Sequence, residues 1–323
     1  MMKIWPMKNG GIMLHKDTSK DRHLFIGGSD ISAIMGMSRW KTPLSLWAEK
    51  TLKLPTPDLS NVEAVEMGTR LEQFVADTFC DKTGKKVRRA PKVYQHPEYD
   101  YMVAHIDRLV TGTDELLECK TCSLFKKDEW ENDEIPQEYI LQVIWYLGIT
   151  GRKVGHIAVL IGGQSFKYKQ IDFDAELFES MVESAKEFWA CVQKDIPPKV
   201  MANDDITLKE LYSTHNETMI ELTEENAEAL ETFEEKIAYL QEVKAHAIEL
   251  DKERKEIEAT IKDIIKDNLG IKTPKYEITW KEQKGSITYD KEQMMLDGVF
   301  DKYATQNSFR RLAINKNKEY EVA

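Results

Sequence analysis

Apolar residues recur along this chain at two spacings, and each spacing marks a kind of element. From Val62 to Val87, VEAVEMGTRLEQFVADTFCDKTGKKV, they fall at threes and fours, which predicts an amphipathic helix closed by Gly84. Leu71, Phe74, Val75, Thr78 and Phe79 make its expected core face, with Glu72 one position off the stripe. A second helix is predicted over PQEYILQVIWYLGITG, with Pro136 at its start and Gly148 near its end. Ile140, Val143, Ile144 and Leu147 form its core stripe, while Tyr139, Gln142 and Tyr146 share another face. Between the two helices, Ala104 to Val110 and Leu116 to Thr121 read as strands joined by the turn Thr111-Gly112-Thr113-Asp114. VGHIAVLIGG, the strand-like QSFKYKQIDF and a helix through Phe188 and Trp189 complete a mixed sheet flanked by helices, with IPPKV (196–200) closing it. The fold class expected is therefore α+β.

Upstream, Gly27-Gly28-Ser29-Asp30 reads as a turn into a helix start, with Ser29 or Asp30 as N-cap and Ile31, Ile34 and Met35 buried. A further helix follows Trp40 on Leu44, Leu46 and Trp47, and Pro55 to Asp58 breaks it. Downstream, a cap at Leu222-Thr223-Glu224-Glu225 opens a predicted helix of about 45 residues ending near Gly270. Its apolar positions, from Leu230, Phe233, Ile237 and Leu240 to Ile257, Ile261 and Ile264, slip phase near 240, as in helical hairpins or coiled coils. The tail after YEITW returns to strands and is basic around Arg310 and Arg311. Four segments result: a leader over 1–21, a main domain over 22–203, an acidic helical segment over 204–270 and an extension over 271–323.

A chain of 323 residues can bury a sizeable core. None of its apolar runs reaches the roughly 18 to 20 residues that span a bilayer, and the N-terminus does not read as a signal peptide. Cys80, Cys119, Cys122 and Cys191 are too scattered for a disulfide framework and suit a reducing cytoplasm. The net charge of −11 divides unevenly. About −10 lies in 205–265, about −3 in 1–204 and about +2 in 266–323. Basic clusters at Lys85, Lys86, Arg88, Arg89 and Lys92, and at Lys126 and Lys127, leave room for a DNA-holding groove in the main domain.

The hairpin carries the candidate chemistry. Alternation puts Asp107 on one face with His105 and Leu109, and Glu118 with Lys120, while Cys119 points the other way. Carboxylates beside a lysine suit metal-assisted phosphodiester cleavage: the acids hold a hard divalent cation, and the ammonium steadies water or developing negative charge. A solvated strand face with one salt bridge is the plainer reading of the same pattern. Glu72 reads either as a surface carboxylate or as a third acid leaning over the metal. Arg22 and Ser29, near the glycine turn, read either as a surface arginine and a cap or as an anion site. Gln142 on a half-buried face calls for a hydrogen-bonding role.

These pieces occur in a telling order: R…GGSDIS, MGTRLEQ on a helix, the HIDRLV strand, LECK, and the pair Gln142–Tyr146. Residues 22–200 thereby resemble the lambda-exonuclease/YqaJ-type phage recombination nucleases, a branch of the PD-(D/E)XK superfamily. The W-K…Y-D…F-R-R-L tail resembles the C-terminal extension of phage YqaJ proteins. The resemblance implies a restriction-endonuclease-like core, with Asp107 and Glu118 as metal ligands, the backbone carbonyl of Cys119 as a further one, and Lys120 as the catalytic lysine. It implies that Glu72 completes the metal environment, that Gln142, with Tyr146, sits near the reacting phosphate, and that Arg22 and Ser29 grip a 5′-terminal phosphate. The expected cofactor is Mg²⁺, with Mn²⁺ as a substitute and up to two ions per site. The expected activity is 5′→3′ digestion of linear double-stranded DNA to leave 3′ overhangs, beside a single-strand annealing recombinase, in a homo-oligomeric, trimeric ring. The setting implied is the cytoplasm of a bacterial host, from a phage or prophage. Rival readings are an endonuclease or structure-specific repair nuclease on the same core, an iron–sulfur variant through Cys119-x-x-Cys122, and a non-catalytic DNA-binding or scaffold protein. Intact Asp107, Glu118 and Lys120 argue against the last.

Overall fold

A computed structural model describes residues 21–303 apart from 92, 133, 216, 221–226 and 283–288. The leader over 1–20, Lys92, the cap at Leu222 to Glu225 and the basic tail at Arg310 and Arg311 lie outside the described residues. The chain divides into two compact units, the first containing the described residues up to Ser213 and the second beginning at Thr214.

The first unit is built on a five-stranded sheet of order β1 (Val87–Arg89), β4 (Arg108–Val110), β5 (Glu115–Cys122), β6 (Val154–Ile161) and β7 (Ser165–Asp172). All neighbours are antiparallel except β5 and β6, which run parallel because α4 (Gln137–Thr150) crosses between them. α1 (Gly28–Ile34), α2 (Pro43–Lys50), α4 and α5 (Ala175–Lys194) contribute to the core on one face of the sheet, and α3 (Glu63–Thr83) packs on the other. Alternation along β5 sends Leu116 to the α4 side and Leu117 and Cys119 to the α3 side. The mixed, helix-flanked sheet is the α+β core expected.

Four local expectations change. The stretch Ala104 to Val110 is not one strand: β3 (Val103–Ala104) pairs with β2 (Tyr94–Gln95), β4 pairs with β5, and His105 to Asp107 crosses between the ladders. On α3 the buried residues are Val75, Ala76 and Phe79, while Phe74 is 54% exposed because only one side of this helix meets the sheet. The first helix is capped by Gly27 rather than Ser29 or Asp30; Asp30 lies inside it and accepts from the Gly27 N–H at 3.0 Å. α4 continues through Gly148 and ends at Gly151, whose φ of 68° is the left-handed cap geometry. Gly148 instead serves packing, since a Cβ there would stand 2.2 Å from the Phe178 ring of α5.

The first unit runs past residue 203. α6 (Asp205–Leu211) follows Asp204, which accepts from the Thr42 hydroxyl and from the Met201 N–H, and Leu208 and Leu211 pack on the main core. The second unit holds α7 (Ala227–Ile265), the hairpin β8 (Gly270–Lys272) and β9 (Glu277–Thr279), α8 (Lys291–Leu296) and α9 (Phe300–Tyr303). Among the described residues, no helix is long and apolar enough to cross a membrane.

Candidate active site

Glu118 and Lys120 leave β5 on the α4 side, where the carboxylate of Glu118 is buried. Lys120 Nζ donates to Glu118 Oε1 at 2.7 Å and to Gln142 Oε1 at 3.0 Å. Gln142 Nε2 donates to the same Glu118 oxygen and to the Tyr146 hydroxyl, both at 2.8 Å. One amide thus uses its oxygen and both its hydrogens, which answers why a glutamine stands on a buried helix face. The Tyr139 ring lies 5.0 Å from Lys120 Nζ, so the ammonium is held between a carboxylate, an amide and a π face. Burial alone would lower the Lys120 pKa, but Glu118 overrides it and the lysine is held charged. Burial, then Glu118, raises Tyr146 well above the ordinary phenol value, so its hydroxyl stays neutral.

Asp107 arrives from the crossing segment and accepts from the Cys119 N–H at 2.9 Å, which places it beside Glu118. Burial and then Glu118 push its carboxyl well above the usual carboxylate range. Glu118 Oε2 is buried and has no hydrogen-bond partner. Two adjoining carboxyl groups that repel, one with an orphaned buried oxygen, fit a hard divalent cation that keeps several waters. Among the described residues no three carboxylate, imidazole or thiol groups converge as a ready-made cage, so Asp107 and Glu118 are the side-chain donors at hand. Glu72 reaches the rim, where its carboxylate accepts from Arg108, whose guanidinium also donates to Gln73 and to the Asp107 carbonyl. Cys119 packs towards α3 and Cys122 towards the main core, so the pair points to opposite faces of the sheet and cannot chelate one ion.

The anion-binding candidates come next to this centre through α1. A Cβ on Gly28 would stand 2.4 Å from the Tyr146 ring and 3.1 Å from Gln142 Cγ, so α1 lies directly against the amide and phenol. Ser29 follows in the chain, exposed, and accepts from Arg22 Nη2 at 3.2 Å. Their scaffold is a buried ion pair that sequence reasoning missed: Lys50 Nζ donates to Asp30 at 2.8 Å and to the carbonyls of Arg22 and Phe25, both at 2.6 Å. Burial pushes the Asp30 pKa up, but Lys50, the Gly27 N–H and Arg22 together bring it below the ordinary value, leaving a carboxylate. A lysine on the apolar side of a short helix was the available signal. His105 was also unassigned; it stacks obliquely on Phe25, and its buried Nε2 lacks a partner. Its pKa is lowered by burial and then by Arg22, which leaves the ring neutral.

Residues 19–153, which contain every one of these groups, match the model of the YqaJ-like viral recombinase domain. Over 305 residues the chain is 36% identical to the uncharacterized protein YqaJ of Bacillus subtilis (strain 168), covering 92% of each. Among solved structures, an alkaline exonuclease from Laribacter hongkongensis is similar at 20% identity and a TM-score of 0.47, covering 56% of this chain and 94% of that one. A phage-related exonuclease from Haemophilus somnus 129PT is similar at 14% identity and a TM-score of 0.36, covering 54% and 97%. Shared along nearly its whole length with the Bacillus protein, the chain belongs to the YqaJ-like viral recombinase family.

Proposed function

We propose that this protein is a Mg²⁺-dependent 5′→3′ exonuclease that digests linear double-stranded DNA, leaving a 3′ strand for an annealing recombinase. The observation that carries the reading is the charged Lys120 locked to Glu118 and Gln142, beside Asp107 and the unpartnered Glu118 oxygen. A divalent cation held by Asp107, Glu118 and the Cys119 carbonyl would supply the charge neutralisation that phosphodiester cleavage needs. Lys120, kept protonated, donates to the water or to the oxyanion that develops on the phosphate. Gln142 fixes the lysine and the carboxylate in one geometry, so the charges need no rearrangement as the bond breaks. Arg22 and Ser29 hold a terminal phosphate and thereby set the scissile bond from the DNA end. Glu72 acts through Arg108, which braces the segment presenting Asp107.

The test compares linear duplexes with 5′-phosphate and 5′-hydroxyl ends and a covalently closed circle, all with Mg²⁺. The expected result is release of mononucleotides from phosphorylated ends, an intact circle, and a loss of about 10²–10³-fold in Lys120→Ala. Cutting of the closed circle would instead establish an endonuclease.

A further inference from the structure

The loop between α1 and α2 and the 3₁₀ helix Leu124–Trp130, which follows β5, make one surface at the end of the sheet where Lys120 lies. Arg39 ties them together: its guanidinium bonds Glu129 of the 3₁₀ helix and Glu138 of α4, each at 2.8 Å. Glu138 adjoins Tyr139, the ring beneath Lys120. On this surface Trp40 is 71% exposed and Phe125 is 98% exposed, with Met37 and Leu124 also outward. Lys126 Nζ stands 4.7 Å over the Trp40 ring.

These aromatics are displayed by a firm support. Ser123 Oγ accepts from the Phe125 N–H at 3.3 Å, Trp130 at the far end is buried, and Leu124 closes on Gly162, where a Cβ would stand 3.0 Å from it. A fully exposed phenylalanine on a pinned turn has no role in the core, and exposed aromatic groups of this kind mark recognition surfaces. The interleaved lysine decides the partner. Lys127 is engaged by Glu131 at 3.3 Å, whereas Lys126 sits on the Trp40 face with no carboxylate paired to it among the described residues, so an anionic polymer carrying flat rings matches both the charge and the shape.

We infer that Trp40, Phe125 and Lys126 form a stacking platform for single-stranded DNA, the strand freed at the site. The inference rests on the nuclease reading for its position in the reaction but not for its chemistry. Trp40 and Phe125 stack on bases, and Lys126 meets the phosphate between them. Because stacking tolerates every base, the platform holds unpaired DNA without sequence preference.

The test is fluorescence anisotropy of labelled dT20 and of a blunt duplex with the full-length protein in EDTA, where hydrolysis does not run. Trp40→Ala with Phe125→Ala is expected to weaken dT20 binding by tenfold or more and blunt-duplex binding by less than threefold. Trp40→Phe alone is expected to keep most of the dT20 affinity, which separates stacking from a folding defect. Equal dT20 affinity in the wild type and the double variant would overturn the platform, as would equal losses on both DNAs. If the wild type digests DNA ends while the double variant binds dT20 normally, this inference fails and the nuclease reading stands. If dT20 binding depends on the two rings but no nucleotide is ever released, the platform stands and the nuclease reading fails.

Discussion

Burial and then the neighbouring Glu118 hold the Asp107 carboxyl well above its ordinary value of 3.8. In that window the folded protein binds a proton that the unfolded chain does not. Stability is therefore greatest below the ordinary value and declines as pH rises through the raised one. At neutral pH without metal, Asp107 and Glu118 oppose one another, and relieving that repulsion stabilises the fold. Asp107→Asn is thus expected to melt higher than the wild type at pH 7 in EDTA, by roughly 2–4 °C for each kcal/mol relieved, with the gap closing towards pH 4. Adding Mg²⁺ is expected to raise the melting temperature of the wild type and not of the variant, since only the wild type keeps both carboxylates. A variant that melts lower in EDTA would mean that the Asp107 carboxylate stabilises the metal-free fold.

Two glycines on α4's contacts separate folding from function at the level of elements. Gly148→Ala would drive a methyl into the Phe178 ring at 2.2 Å, and Gly28→Ala would drive one into Tyr146 at 2.4 Å. Overpacking of this kind destabilises by about 1–3 kcal/mol. Both variants are expected to melt lower, but only Gly28→Ala disturbs Gln142 and the Lys120 contact, so only it is expected to lose activity well below its melting temperature. Gly148→Ala with Phe178→Leu is expected to regain stability; equal activity losses in the two glycine variants would sink the distinction. The same elements show what could be read from residue order. Alternation on β5 placed Glu118 and Lys120 together, and helical spacing placed Gln142 and Tyr146 together, because both patterns are local. The cap of α1 was misplaced because Lys50, twenty positions away, draws Asp30 inward. Phe74 looked like core because an apolar stripe does not reveal how much of it a neighbour covers, and the smaller Ala76 takes the buried place. The break before Asp107 follows from pairing with two different ladders, a long-range fact.

Over the whole molecule, charge and chemistry separate. The family-model match ends at residue 153, yet likeness to the Bacillus protein covers 92% of the chain, so the acidic second unit belongs to the shared architecture. Its main element, α7, carries Phe233, Val243, Leu250, Ile257 and Ile264 at 46% to 62% exposure, although their spacing reads as a buried seam. The ion pairs beside it, Arg254 with Asp251 and Glu258 and Lys255 with Asp251, are exposed and contribute little. If the stripe faces water in solution, substituting it removes no packing. Leu250→Lys with Ile257→Lys is then expected to change stability by no more than about 0.5 kcal/mol per site, with a melting temperature independent of protein concentration. A second chain seated on α7 would act as a ligand of the folded state. The wild type would then melt higher as concentration rises, and the paired lysines would abolish that dependence along with several degrees of stability. Melting curves of both proteins over a hundredfold concentration range distinguish a solvated helix from half of a coiled coil.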